Sequence, residues 1–222
     1  MYLKNKPVCT IVGAGPGVGL SVAKRFAKEG FRIALIARRQ DMLDEYRTEL
    51  TRQGADVHIF SGDAGDFESL IQAFKKINGS LGDTHVLVYN AAIVRSSLPS
   101  ECSPARLLED FKVNVGGALQ AAQLVIPAMK EAKKGTILFT GGGLALDPIP
   151  QYTSLAIGKA GIRSLAFTLF GEMLTQGVHV ATVTIAGIVK PGTKFDPDLI
   201  ANEYWRLHSQ PQGKWEKEII IR

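Results

Sequence analysis

Near the N-terminus, Gly13-Ala14-Gly15-Pro16-Gly17-Val18-Gly19 follows directly on an apolar run, Pro7–Val12. Glycine adopts positive φ readily and lets another group approach the main chain closely. Where such a turn opens a helix, unsatisfied N–H groups and the positive end of the helix dipole face an anion, which is the chemistry that cradles a pyrophosphate. The spacing is G-x-x-x-G-x-G on Gly13, Gly17 and Gly19, not G-x-G-x-x-G. Alone, it reads equally well as a tight strand-to-helix turn. A second feature is Arg38-Arg39, with no carboxylate before Asp41. Guanidinium forks of this kind suit a phosphate monoester, although solvated loop charge is the plain alternative.

The elements that must position these residues alternate. Arg32–Ala37, Asp56–Phe60, His85–Tyr89, Gly135–Thr140, His179–Ile185 and Glu218–Ile221 read as strands after the first at Pro7–Val12. Between them Val18–Glu29, Asp41–Arg52, Phe67–Ile77, Pro104–Lys133, Tyr152–Thr175 and Asp198–His208 read as helical. Gly30 closes the first helix, Asp41 is placed to cap the second and Gly54 to stop it. Pro104–Lys133 reads as two helices meeting near Asn114. Strands alternating with helices through short turns predict an α/β fold, a parallel seven-stranded sheet with helices on both faces, in a single domain over residues 1–222. Placed at the first βα junction of that alternation, the glycine turn becomes a dinucleotide phosphate site. Arg38 and Arg39 then lie where an NAD-type fold carries a carboxylate for the ribose hydroxyls. Arginine there favours NADP(H), with NAD(H) still admissible.

Composition narrows the class. Hydrophobic residues at 45% and charged residues at 21% are ordinary for a globular chain. The net charge of +5 is spread over isolated residues and pairs, so no nucleic-acid partner is expected. Cys9 and Cys102 lack a C-x-x-C spacing and read as reduced thiols, Cys9 as a buried one. His58, His85, His179 and His208 form no ligand cluster, so no metal is expected. No signal peptide or membrane-spanning run is evident, which predicts a cytoplasmic protein with no membrane partner.

With these stations in order, the chain resembles the classical short-chain dehydrogenases/reductases over nearly its whole length, and the resemblance implies a Rossmann-type doubly wound fold. Asp63-Ala64 matches the family pair that holds the adenine. Asn90-Ala91-Ala92 matches its Asn-Ala-Gly, with Ala92 in place of glycine. Val113-Asn114-Val115-Gly116 matches the segment whose asparagine belongs to the catalytic tetrad. Ala186-Gly187-Ile188-Val189 stands at Pro-Gly-x-Val beside the nicotinamide, with Gly187 and Val189 matching. The resemblance thus implies cofactor contacts from Gly13, Gly15, Pro16, Gly17, Val18, Gly19, Arg38, Arg39, Asp63, Ala64, Asn90, Ala91, Ala92, Lys159, Gly187 and Val189. It also implies a homodimer or homotetramer, and a substrate-side lid at 190–215 in which Phe195, Tyr204 and Trp205 line an apolar pocket or pack the short helix.

The family places a tyrosine four residues before its lysine and a serine thirteen before that. Counting back from Lys159 gives Leu155 and then Gly142. Of the tetrad only Asn114 and Lys159 remain. Lys159 keeps its ribose contact either way, an exposed helix lysine being its bland reading, while Asn114 serves either a water relay or a helix bend. Tyr152, one helical turn before Leu155, is the candidate replacement acid, against the favoured plainer reading of a rim or capping aromatic. Thr153 and Ser154 read as caps, and Thr140 as the last residue of its strand. Two functions follow. One is an NADP(H)-dependent oxidoreductase moving hydride between cofactor and a small carbonyl or alcohol with an atypical proton donor. The other is a catalytically impaired NADP(H)-binding sensor, scaffold or oligomer subunit.

Overall fold

A computed structural model describes residues 6–222. The strands are β1 (Val8–Val12), β2 (Arg32–Ala37), β3 (Val57–Ser61), β4 (Thr84–Tyr89), β5 (Gly135–Gly142), β6 (Val178–Ile185) and β7 (Glu218–Ile221). They form one sheet of order β3-β2-β1-β4-β5-β6-β7, with every neighbouring pair parallel. The helices are α1 (Val18–Lys28), α2 (Gln40–Arg52), α3 (Phe67–Leu81), α4 (Pro104–Phe111), α5 (Gly117–Glu131), α6 (Thr153–Met173) and α7 (Pro197–His208). This is the Rossmann-type doubly wound arrangement.

Strand alternation builds the two layers, because successive side chains point to opposite faces. Cys9 and Ile11 of β1 face a core with Phe26 of α1, Leu43 and Leu50 of α2, and Tyr204 and Leu207 of α7. Val8 and Val12 face the other core, with Phe74 and Ile77 of α3, Val125 of α5, and Ile162, Leu169 and Met173 of α6. Strands buried on both faces need continuous apolar runs, and β6 is buried at every residue. Sequence order runs outward from β1 in one direction through β3 and then outward from β4 in the other. A crevice is left beyond the carboxyl ends of β1 and β4, where the order reverses.

Several boundaries differ from the sequence expectations for physical reasons. Arg39, not Asp41, is the N-cap of α2, without a side-chain cap bond, and Asp41 lies in the first turn. There its charge complements the helix dipole and caps nothing. α3 continues four residues beyond Ile77, burying Leu81 before Gly82 at φ 83° ends it. β5 does not stop at Thr140, since Gly141 and Gly142 keep pairing with Thr184 and Ile185 of β6. Asn114 sits in a π turn, Lys112–Gly116, joining α4 to α5, so the two helices meet where the sequence placed their junction. Among the described residues no helix is long and apolar enough to cross a membrane, and no cluster of His, Cys, Asp and Glu is arranged to hold a metal.

Candidate active site

The glycine turn occupies the crevice. Gly13 has φ 86°, and a Cβ there would collide with the Ala91 backbone, so glycine is obligatory where β1 and β4 come together. Gly17 also has positive φ, 93°, and a Cβ on Gly19 would lie 3.1 Å from the Gly13 carbonyl and 3.3 Å from Asn90 Nδ2. Gly15 differs, because nothing lies within 4 Å of a Cβ built there. Its face is open to the cleft. The first N–H groups of a helix lack intrahelical acceptors, and α1 has no side-chain cap. The turn therefore presents free donors and a positive dipole end to open space.

One cavity of about 620 Å³ runs from this turn past Arg38, Arg39, Asp63, Ala64, Ala91 and Ala92. Both arginines are exposed at its edge. Asp63 Oδ1 accepts from the Gly65 amide at 2.8 Å, holding the loop after β3 in place. A larger cavity of about 1230 Å³ lies on the other side of the turn, lined by Pro16, Gly17, Val18, Asn90, Tyr152, Leu155, Lys159, Gly187 and Val189. Pro16 and Asn90 line both cavities, so the two form one trough along the strand ends. Val189 Cγ1 lies 3.9 Å from a Cβ built on Gly17, so the segment after β6 faces the glycine turn across the trough.

Asn90 ties the trough together. Its Nδ2 donates to the Gly13 carbonyl at 2.9 Å, and its Oδ1 accepts from Thr140 Oγ1 at 2.9 Å. Thr140 Oγ1 in turn meets the Tyr204 hydroxyl at 2.7 Å. Since the threonine proton is used on Asn90, Tyr204 donates to Thr140. Tyr204 is fully buried on α7, and burial pushes its phenol above the usual tyrosine range. The sequence reading missed this chain because Thr140, Tyr204 and Asn90 lie far apart in sequence and lack a motif spacing.

Lys159 projects from α6 to the floor of the larger cavity. Its Nζ donates to the Thr140 carbonyl at 2.6 Å, and burial of the ammonium lowers its pKa to about 8. A Cβ on Gly142 would lie 3.2–3.3 Å from Lys159 Cγ, Cδ and Cε, so the lysine stem occupies the side of Gly142 where a serine side chain would begin. Leu155 lines the cavity while remaining buried, with a relative exposure of 8%. Tyr152 is the N-cap of α6 at φ −128°, ψ 46°, outside the helix, so it does not sit one helical turn behind Leu155. Its backbone bridges to Ser97, and the residue lines the larger cavity. Asn114 is buried, with Oδ1 accepting from Ile93 N at 2.7 Å. Gly158 packs against it, since a Cβ there would lie 2.8 Å from Asn114 Nδ2.

The cap expectations near the cleft are corrected, while Phe195, Tyr204 and Trp205 follow the packing alternative. Thr153 and Ser154 do not cap α6. Thr153 Oγ1 shares its single proton between the Ser97 and Pro150 carbonyls, each at 3.0 Å, and Ser154 Oγ donates to Asp110 Oδ2 at 2.6 Å, pinning α6 to α4. Phe195, Tyr204 and Trp205 are absent from the cavity lining. Trp205 packs edge-on to Phe26 at 5.4 Å, and Phe195 fills the space over Gly187. The apolar lining comes instead from Val94, Leu144, Ile149, Leu155, Ile188 and Val189. Of the segment 190–215, Pro191, Asp196, Pro197 and Asp198 face the cavity, whereas the rest of α7 lies back on α1, where Arg25 Nε donates to Asn202 Oδ1 at 3.0 Å.

The family profile described as short chain dehydrogenase matches residues 7–199. This chain belongs to the short-chain dehydrogenase family. Human short-chain dehydrogenase/reductase 3 is 32% identical over 169 residues, 76% of this chain and 54% of that protein. Glucose 1-dehydrogenase of Gluconobacter oxydans (strain 621H) is 30% identical over 82% of this chain and 69% of its own length. The chain thus spans about half the length of the first of these curated relatives, at 54%. Among solved structures, the alcohol dehydrogenase from the archaeon Thermococcus sibiricus complexed with 5-hydroxy-NADP has a TM-score of 0.88 at 26% identity, covering 98% of this chain and 97% of its own. A variant of actinorhodin polyketide ketoreductase with NADPH has a TM-score of 0.92 over 100% of this chain and 97% of its own. At 18% identity, that likeness concerns the fold alone. Family members of this kind are oxidoreductases.

Proposed function

We propose that this chain binds NADP(H) along the trough and, as an oxidoreductase, interconverts a small carbonyl compound and its alcohol. The observation that carries the reading is the open face of Gly15 at an uncapped helix N-terminus, with Arg38 and Arg39 at one end of the trough and Lys159 at the other. The turn amides take the pyrophosphate, Arg38 and Arg39 the 2′-phosphate, and Asp63 and Ala64 the adenine. Asn90, Ala91 and Ala92 border the ribose path, and Gly187 and Val189 the nicotinamide end. The Thermococcus sibiricus alcohol dehydrogenase is complexed with 5-hydroxy-NADP, which supports the same choice here. When bound, the cofactor supplies or accepts hydride. The residues of this chain orient it, exclude water and handle one proton.

Lys159 Nζ holds the nicotinamide ribose from the floor, Asn114 supports α6 behind it, and the apolar lining favours a substrate with an apolar body. Two groups compete to exchange the substrate proton, Tyr152 at the rim and Lys159 at the floor. Residues 1–222 act as one dinucleotide-binding domain, with the 190–215 segment covering the substrate side, in a cytoplasmic homodimer or homotetramer. A second reading, NADP(H) binding without turnover, is favoured by Leu155 and by the lysine stem packed on Gly142.

Titration with NADPH and NADH, followed by absorbance at the dihydronicotinamide band across a panel of aldehydes and ketones, separates the readings. NADPH binding with turnover supports the first, and binding without turnover supports the second. Failure to bind either dinucleotide refutes both.

A further inference from the structure

The cavity beside the glycine turn has few groups able to exchange a proton. Lys24 is paired with Glu49 at 2.7 Å. Asp196 caps α7, accepting from the Asp198 amide at 2.8 Å, and also takes the Gly192 amide at 2.7 Å. Asp147 and Asp198 are exposed at the mouth, and Tyr152 stands at the rim on a non-helical residue. Leu155 offers no proton and Gly142 no hydroxyl. Among the described residues lining the cavity, Ser21 and Thr140 also carry hydroxyls, that of Thr140 spent on Asn90, and Lys159 is the cation that packs against Gly142.

Its placement follows from the residues that surround it. Without a side chain on Gly142, the lysine stem lies along that backbone. This draws Nζ to the Thr140 carbonyl at 2.6 Å, and Thr140 is held by Asn90 and Tyr204. An ammonium has three donors and no acceptor. One donor is spent on Thr140, leaving two for the open cleft.

We propose that Lys159 Nζ is itself the acid/base that exchanges a proton with the substrate oxygen in this chain. The inference rests on the reading of the cleft as a carbonyl and alcohol site, and assigns its missing proton donor. As a substrate carbonyl is reduced by a dihydronicotinamide, the carbon gains hydride and the C=O double bond becomes a single bond. The oxygen takes the proton of one Nζ–H bond. The neutral amine left behind is reprotonated from solvent through the open mouth, and alcohol oxidation runs the same transfers backwards. Desolvation of the ammonium, which brings its pKa to about 8, suits the role, because an acid/base works best with a pKa near the working pH.

The first test needs no turnover. Trace labelling of the cofactor-free protein with acetic anhydride across pH, read by mass spectrometry at Lys159, should give a reactivity midpoint near 8. A midpoint at or above the ordinary lysine value of 10.5 overturns the proposal. The second test is Lys159→Arg, which keeps the cation and its hydrogen bonds but gives up its proton far less readily. With the variant saturated by NADPH, kcat should fall roughly 10²–10⁴-fold, the range for loss of a positioned acid/base, and its pH limb should vanish. In the unaltered protein, kcat/KM for reduction should fall as pH rises through the pKa of Lys159, and kcat/KM for oxidation should rise through the same range. If Lys159→Arg keeps its turnover and that pH limb while Tyr152→Phe loses them, the proposal is overturned and the cofactor reading stands. NADPH binding without turnover on any carbonyl also overturns the proposal alone. Failure of the unaltered protein to bind either dinucleotide removes the underlying reading, and the proposal with it.

Discussion

Replacing Thr140 by valine tests whether the buried chain Tyr204–Thr140–Asn90 holds the glycine turn. Valine preserves the shape of threonine but deletes one hydroxyl that accepts from Tyr204 at 2.7 Å and donates to Asn90 Oδ1 at 2.9 Å. The Tyr204 hydroxyl, on a residue with 0% exposure, would lose its only side-chain partner among the described residues, and Asn90 would lose one of two. A buried polar group left without its partner costs about 1–3 kcal/mol, so Thr140→Val should destabilise the fold by about 2–4 kcal/mol. Tyr204→Phe removes one donor while Thr140 still donates to Asn90, and should cost about 1 kcal/mol. In the double variant the orphaned phenol is gone, so Thr140→Val should cost about 1–2 kcal/mol less in the Tyr204→Phe background than in the unaltered chain. Urea unfolding of the four proteins at one pH closes this cycle. Strictly additive costs, or a Thr140→Val change below about 0.5 kcal/mol, would refute the argument. Because Asn90 also holds the Gly13 carbonyl, Thr140→Val should weaken NADPH binding too, measured by quenching of protein fluorescence.

The glycine turn separates fold from ligand. Gly13→Ala forces a non-glycine residue to φ 86° and into the Ala91 backbone, and should cost about 2 kcal/mol or more in urea unfolding. Gly15→Ala meets nothing within 4 Å, so the unfolding midpoint should hold while NADPH affinity drops as the new methyl enters the trough. Arg38→Asp with Arg39→Ala should weaken NADPH far more than NADH in parallel titrations, and equal losses would undo their assignment to the 2′-phosphate. His208, bonded to Thr136 Oγ1 at 2.9 Å, has its pKa pushed from 6.5 down to about 4, chiefly by burial, then by His179 and Lys134. The unfolded chain therefore takes that proton first, so stability is full above pH 6.5 and is lost as pH falls toward about 4. The loss reaches at most about 3 kcal/mol, and His208→Gln should flatten the slope of unfolding free energy against pH over that window.

Much of the architecture was legible because apolar strands buried on both faces leave long unbroken signals. Val8–Val12, Arg32–Ala37 and Val178–Ile185 are such runs, with the glycine at 30 or 54 ending the helix before the next strand. Local signals failed where pairing with a neighbour decided the outcome. Gly141 and Gly142 look like the end of a strand but are carried on by the register with β6. Asp41 looks like a cap, yet α2 starts before it. In the site, the residues that act through a contiguous motif, such as Gly13 to Gly19, were readable, because the motif is the structure. Tyr204 was not, because its role depends on α7 folding back over β5. For Tyr152 the plainer reading, a capping aromatic, is the one realised, since the residue caps α6 from a non-helical approach rather than extending the helix.

The central claim is that an NADP(H) molecule lies along the trough, with its 2′-phosphate between Arg38 and Arg39. Isothermal titration of the unaltered chain with NADPH and with NADH, at one salt concentration, tests it directly. The account predicts saturable one-to-one binding of NADPH, roughly tenfold or more tighter than NADH, the worth of one charge-assisted phosphate contact. Equal affinity for the two would contradict the role of the arginines, and no binding of either would contradict the claim itself.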